Sequence, residues 1–119
     1  VIVRRDLGKR ENVLLKQLKE FVGQQLRAMQ KEMLERAKEY LQENTVETNS
    51  WEDFKKAIDE RKLVKAPWCG QEECEDWIKH KTEGAKSINI PFDQPKKIEH
   101  KCVHCNKDAT VVAYFAKSY

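Results

Sequence analysis
The chain has 119 residues and a mass of 14.1 kDa, with 23 Lys and Arg against 20 Asp and Glu and four Cys. That length suffices for one compact domain, or a small domain with an appended helix, and is too short for a multi-domain enzyme. A net charge of +3, with no dominant basic segment, excludes the dense footprint of a dedicated nucleic-acid binder, and the longest apolar run, Val111 to Ala116, is far below the roughly 18–20 residues that cross a bilayer.

Val1, Ile2 and Val3 are β-branched and give way to Arg4-Arg5-Asp6 with Gly8 behind them, so the start reads as the end of a strand followed by a turn. No signal-peptide apolar region is present there, and an opening on strand residues without Met leads us to expect a piece of a longer protein. Arg4, Arg5, Lys9 and Arg10 form the best basic cluster, which could meet a phosphate backbone or simply lie on a solvated turn. From about Asn12 to Gln42, apolar residues from Leu14 and Leu15 through Leu18, Phe21, Val22, Leu26, Met29 and Met33 to Leu41 recur every three or four positions, which predicts a long helix. Core packing and a coiled-coil seam both fit that stripe, but the spacing keeps no strict heptad, which favours core packing. One end of so long a helix is expected to pack on another domain or subunit, and Gly23 marks a weak point.

Asn44 to Asn49 is polar and breaks the helix, and Ser50-Trp51-Glu52-Asp53 then resembles a capping box for a short helix with Trp51, Phe54 and Ile58 on one face. Leu63 to Ala66 reads as a strand stopped by Pro67. Gln71 to Lys81 carries acidic residues first and Lys79, His80 and Lys81 last, the order that complements a helix dipole. Ser87-Ile88-Asn89-Ile90 alternates as a half-buried strand would, ended by Pro91, and Thr110 to Ala116 predicts a last strand.

All four cysteines fall into two pairs, Cys69-x4-Cys74 and Cys102-x2-Cys105. One tetrahedral Zn²⁺ site with four thiolates explains them together, and a closed four-thiolate shell points to a structural metal. A knuckle of this kind needs a residue with positive φ after its second Cys, and Asn106 is the best non-glycine choice, with Gly70 in the flexible position of the first pair. Two other readings stay open: a redox dithiol, which requires a helix N-terminus and an activated thiolate, and disulfides. His100 and His104 are possible substitute ligands, and His80 reads as a surface residue.

Taken together, Leu63-Val64-Lys65-Ala66-Pro67-Trp68-Cys69-Gly70, Cys74-Glu75-Asp76-Trp77-Ile78-Lys79, Gly84-Ala85-Lys86-Ser87 with Ile90-Pro91-Phe92, Lys101-Cys102-Val103-His104-Cys105 and the ending Tyr114-Phe115-Ala116-Lys117-Ser118-Tyr119 resemble the C-terminal zinc-binding domain of prolyl-tRNA synthetases of the archaeal and eukaryotic type. The resemblance covers essentially the whole chain. It implies an α+β fold, a two-layer β-α-β-α-β-β sandwich joined to a long N-terminal helix, with the order met by strand, long helix, strand, helix and two strands and with the Ser50–Glu60 helix as an extra. It implies an exit from an anticodon-binding domain over 1–11, a helical segment over 12–62 and a zinc-binding part over 63–119. It implies Cys69, Cys74, Cys102 and Cys105 as ligands of a structural Zn²⁺, and Tyr119 as a terminal residue whose free carboxylate is directed toward the active site. The parent would be a cytoplasmic, homodimeric ligase that activates proline with ATP and transfers it to tRNA(Pro), its C-terminal domain packing against the anticodon-binding and catalytic domains. No catalytic residue is expected among these 119. The competing class is a free-standing zinc module that contacts RNA or protein.

Overall fold
In the computed structural model, which describes residues 1–117, the β-branched start forms β1 (Ile2–Arg4). Gly8, at φ 66°, turns the chain back into β2 (Lys9–Glu11), with Ile2 opposite Glu11 and Arg4 opposite Lys9. The second strand was invisible in sequence because Lys9-Arg10-Glu11 has no β-forming side chain, and the turn dictates its pairing. A short 3-10 turn (Leu15–Gln17) leads into α1 (Leu18–Glu43), which begins later than the apolar periodicity and runs unbroken through Gly23. These elements make one compact unit, Val1–Glu43, and Asn44–Tyr119 make a second.

The first unit is fastened by an ion cluster. The Arg4 guanidinium donates to Asp6 at 2.7 and 3.2 Å and to Glu32 on α1 at 2.7 and 3.2 Å, and Arg36 lies 3.5 Å from Asp6. Arg4 is only 8% exposed. Its guanidinium is engaged by two carboxylates, so it is not a free phosphate contact. The core packing expected of the α1 stripe is not found: none of the helix residues is buried, and Leu26, Met33, Leu34 and Leu41 are each more than half exposed.

In the second unit, the break after α1 holds a strand, β3 (Thr45–Glu47), and the helix that follows, α2 (Trp51–Asp59), starts at Ser50, whose hydroxyl accepts from the Asp53 amide at 3.4 Å. That helix crosses to β4 (Leu63–Trp68), which lies parallel to β3 with Thr45 opposite Leu63. The chain continues through α3 (Glu72–Lys81), β5 (Ala85–Asn89) and β6 (Val111–Lys117), giving a sheet of order β3-β4-β6-β5 in which both pairs involving β6 are antiparallel. The β-α-β-α-β-β order is thus complete inside the second unit. The short helix is its first crossover, not an extra, and the N-terminal strand and long helix stand outside it. Thr45 and Val46 are β-branched, but three residues are too few to set a strand pattern, and the parallel ladder with β4 defines β3.

One face of the sheet carries Val64, Ala66, Trp68, Ala85, Ala113 and Phe115, and α2 and α3 cover it with Phe54, Ala57, Ile58, Cys74 and Ile78. Phe115 is the hub, meeting Phe54 at 5.3 Å and Trp68 at 5.9 Å between ring centroids, both edge to face.

Two sequence expectations fail here. Pro67 does not stop β4. The Trp68 carbonyl accepts from Thr110 on the β6 side, whereas the Pro67 carbonyl accepts from Val103, so Pro67 directs its missing N–H away from β6, past the last residue of β3, where no ladder partner is lost. Nor do Ile88 and Ile90 face the core, being 57% and 47% exposed. The ladder shifts register between Ser87 and Asn89. Glu75 holds Ser87 on one side of the shift, accepting from its amide at 2.8 Å and its hydroxyl at 2.6 Å. Beyond the end of β5, the Gln94 amide bonds both the N–H and the C=O of Val112, at 2.8 and 3.0 Å, continuing the ladder with a side chain.

The Arg4 cluster makes the first unit acid-sensitive. Hydrogen bonds from Arg4 hold the carboxyls of Asp6 and Glu32 below their ordinary values of 3.8 and 4.5. The unfolded chain therefore takes up protons first as pH falls, so the stabilisation is present above those ordinary values and is lost as pH drops through the lowered ones. Hydrogen-exchange protection of the β1–β2 hairpin is expected to decline below about pH 4, and Arg4→Met is expected to flatten that dependence. An equally steep decline in Arg4→Met would contradict this role.

Candidate metal centre
Three segments bring the cysteines together. Cys69 follows the last residue of β4, and Cys74 sits in the first turn of α3. Cys102 and Cys105 lie on a tight turn ahead of β6, fixed to the sheet through the Val103 amide donating to the Pro67 carbonyl at 2.9 Å. Within the turn, the Cys102 amide donates to Lys107 O at 2.8 Å and the Asn106 amide to Cys102 O at 3.2 Å, and a Lys101–Asp108 ion pair closes its base. Asn106 has φ 60° and Gly70 has φ 73°, as the knuckle geometry requires. A Cβ on Gly70 would stand 3.2 Å from the Thr110 hydroxyl, so the close approach of the two segments needs glycine as well as the turn does.

All four sulfurs lie within 4.8 Å of one another, with Cys74–Cys102 at 3.7 Å and Cys69–Cys105 at 3.6 Å. A tetrahedron of thiolates around Zn²⁺ at about 2.3 Å has sulfur–sulfur edges of about 3.8 Å, whereas a disulfide needs about 2.05 Å. The donor set and its spacing fit a divalent metal, and all four cysteines are free thiols. Three are buried and Cys105 is half-buried, beside a cavity of about 190 Å³ that gives the cluster an opening to solvent.

The electrostatics point the same way. Burial, followed by the charge of Cys102, pushes the Cys74 thiol well up, and burial likewise raises Cys69. Burial also opposes ionisation of Cys102, but amides of Cys105, His104 and Cys69 overcome it and draw that thiol down. A pocket that cannot hold several thiolates unaided is one in which a dication changes the balance, since it deprotonates its ligands. The redox reading fares worse: it needs the Cys102-x2-Cys105 pair at a helix N-terminus, and that pair lies on a turn ahead of β6.

The histidines separate. His100 is drawn to Asn49, its Nδ1 lying 3.1 Å from the Asn49 amide nitrogen. His80 packs edge-on against Trp77. His104 alone reaches the cluster, with Nδ1 3.3 Å from Cys74 Sγ and its ring edge-to-face with Trp51 at 5.0 Å. Sequence reasoning weighed His104 only as a ligand, and its position between Cys102 and Cys105 was the available signal. Its contact with Trp51, distant in sequence, had none. Tyr119 lies outside the described residues.

Residues 51–119 match a family model described as prolyl-tRNA synthetase, C-terminal. The chain is 43% identical to the proline–tRNA ligase of Lachnoclostridium phytofermentans, with 100% of this chain and 25% of the relative covered. It is 38% identical to the cytoplasmic proline–tRNA ligase of Arabidopsis thaliana, over 98% of this chain and 23% of the relative. A crystal structure of prolyl-tRNA synthetase from Cryptosporidium parvum, complexed with L-proline and AMP, superposes with a TM-score of 0.89 at 30% identity, covering 98% of this chain and 25% of that one. The chain thus spans about a quarter of the length of the relatives it matches.

The positive φ at Asn106 yields a direct test. Asn106→Gly is expected to leave stability unchanged or slightly raised, whereas Asn106→Val should cost about 1–2 kcal/mol in urea denaturation. Equal stability of the two variants would show that the turn does not depend on this conformation.

Proposed function
Because the chain belongs to the family of prolyl-tRNA synthetase C-terminal domains, we propose that it is the structural, metal-closed end of a ligase that activates proline with ATP and transfers it to tRNA(Pro). The observation that carries the metal part of this reading is the convergence of Cys69, Cys74, Cys102 and Cys105, whose sulfurs all lie within 4.8 Å of one another. These four would hold one Zn²⁺, whose contribution is to fold the chain rather than to activate water, since four thiolates leave no open position. The proposed domain arrangement is an exit from the anticodon-binding domain over 1–11, a helical segment over 12–62 and the zinc-binding part over 63–119, the last two meeting inside the compact unit that begins at Asn44.

The parent enzyme would be cytoplasmic and homodimeric, and its catalytic residues would lie in the three quarters of the protein outside this chain, which alone would not aminoacylate tRNA. The exposed Leu and Met stripe of α1 supports packing against the anticodon-binding and catalytic domains, because a helix with that periodicity and no buried residue has its cover elsewhere. Tyr119, as the terminal residue, would direct its carboxylate toward the active site. A free-standing RNA module is less well supported, since Arg4, the first residue of its basic cluster, is engaged by Asp6 and Glu32.

Metal analysis of the purified chain should find one Zn²⁺ per molecule. Chelation should abolish amide protection from Leu63 onward while α1 partly survives. Cys102→Ser or Cys105→Ser should destabilise more than His104→Ala. A metal-free, fully folded protein with four titratable thiols would sink the metal reading without touching family membership.

A further inference from the structure
We infer that His104 is a positioning residue of the metal centre: its Nδ1–H donates a hydrogen bond to the Cys74 sulfur, and its contact with Trp51 locks the ring in place to do so. The inference rests on the metal reading proposed above.

The contact itself is ambiguous as to direction, since Nδ1 and Cys74 Sγ stand 3.3 Å apart and either atom can carry the proton when the thiol is neutral. Metal binding removes the ambiguity. A coordinated cysteine is a thiolate with no proton to give, so the hydrogen must sit on Nδ1. Of the two neutral tautomers of His104, one is thereby selected.

The chemistry explains why such a donor is needed. Four thiolates around one dication leave a formal charge of −2, part of it on a sulfur with little access to water, since Cys74 is 6% exposed. Donors aimed at the sulfurs disperse it. Cys102 draws on backbone amides. Cys74, in the first turn of a helix, has its own amide committed to the Gln71 carbonyl at 3.1 Å, and His104 is the side chain that reaches its sulfur with a nitrogen.

The ring is also held independently of the metal. Trp51, the first residue of α2, meets the imidazole edge-to-face at 5.0 Å and is stacked at 5.3 Å on the fully buried Phe54. The orientation of His104 is therefore tied to the hydrophobic core through a helix that supplies no ligand. Cys102 and Cys105 flank His104 in sequence and fix its backbone, so both ends of the side chain are constrained.

Two substitutions separate the donor from the ring. His104→Phe keeps an aromatic face for Trp51 and removes the N–H. His104→Asn loses the ring, but its side-chain amide nitrogen falls where Nδ1 stood. The full chain is titrated with Co²⁺ against a competing chelator, reading affinity and the thiolate-to-cobalt charge-transfer band. His104→Phe is expected to bind about 10–100-fold more weakly, with the band moved to lower energy because an unbonded thiolate is the better electron donor. His104→Asn should restore the band and most of the affinity, the remainder belonging to the lost Trp51 contact. Wild-type affinity in His104→Phe, or an Asn variant as weak as the Phe variant, overturns the inference while leaving the metal site intact. A wild-type chain that takes up no Co²⁺ overturns the metal reading and this inference together.

Discussion
The path of the chain from the end of β4 to the start of β6 depends on four sulfur atoms meeting at one point. Between β5 and β6, residues 90–110 contain no helix or strand apart from the isolated bridge between Lys101 and Asp108. A stretch of that length without secondary structure loses much conformational entropy on ordering and has few ladder bonds to offset it. Besides the His100–Asn49 contact, two ties secure it, the Gln94 side chain bonded to Val112 and the turn carrying Cys102 and Cys105. The first pins a loop to a strand edge. The second joins residues some thirty positions apart in sequence, and the proposed metal makes that junction strong enough to hold the loop.

The remainder of the second unit is built around this junction. β4 is central in the sheet, and its end delivers Trp68 into the core and Cys69 to the cluster within two consecutive residues. α3 does the same with Ile78 and Cys74 on one buried face. The cluster cysteines and core side chains therefore share elements, and loss of either loosens the other. His104 and Trp51 extend the connection to α2, so that both helices covering the sheet are tied to the sulfur cluster. The first unit follows a different principle: a buried arginine held by two carboxylates fastens the hairpin to α1, in place of an apolar core.

Sequence made the helices and the cysteines readable because their signals are local. Ser50 three residues ahead of Asp53, acidic residues at the start of α3 and basic ones at its end, and paired cysteines with Gly70 and Asn106 at the turning positions each state their physical reason within a few residues. What stayed hidden was set by partners distant in sequence. β2 has weak strand character, β3 is only three residues long despite the β-branched Thr45 and Val46, and pairing with β1 and β4 defines them. Missing β3 displaced the assignment of the whole β-α-β-α-β-β order, so that the first crossover helix looked surplus. Pro67 misled because its effect depends on which edge of β4 its nitrogen faces. Ile88 and Ile90 misled because alternation shows a strand's two faces without showing a bulge.

Zinc K-edge X-ray absorption of the purified chain tests the central claim most directly, because it reports the ligands without relying on activity. Four sulfur scatterers at about 2.3 Å and no coordinated nitrogen are expected, with His104 scattering from farther out. Three sulfurs with one nitrogen at about 2.0 Å, or a shell dominated by oxygen and nitrogen, would contradict it.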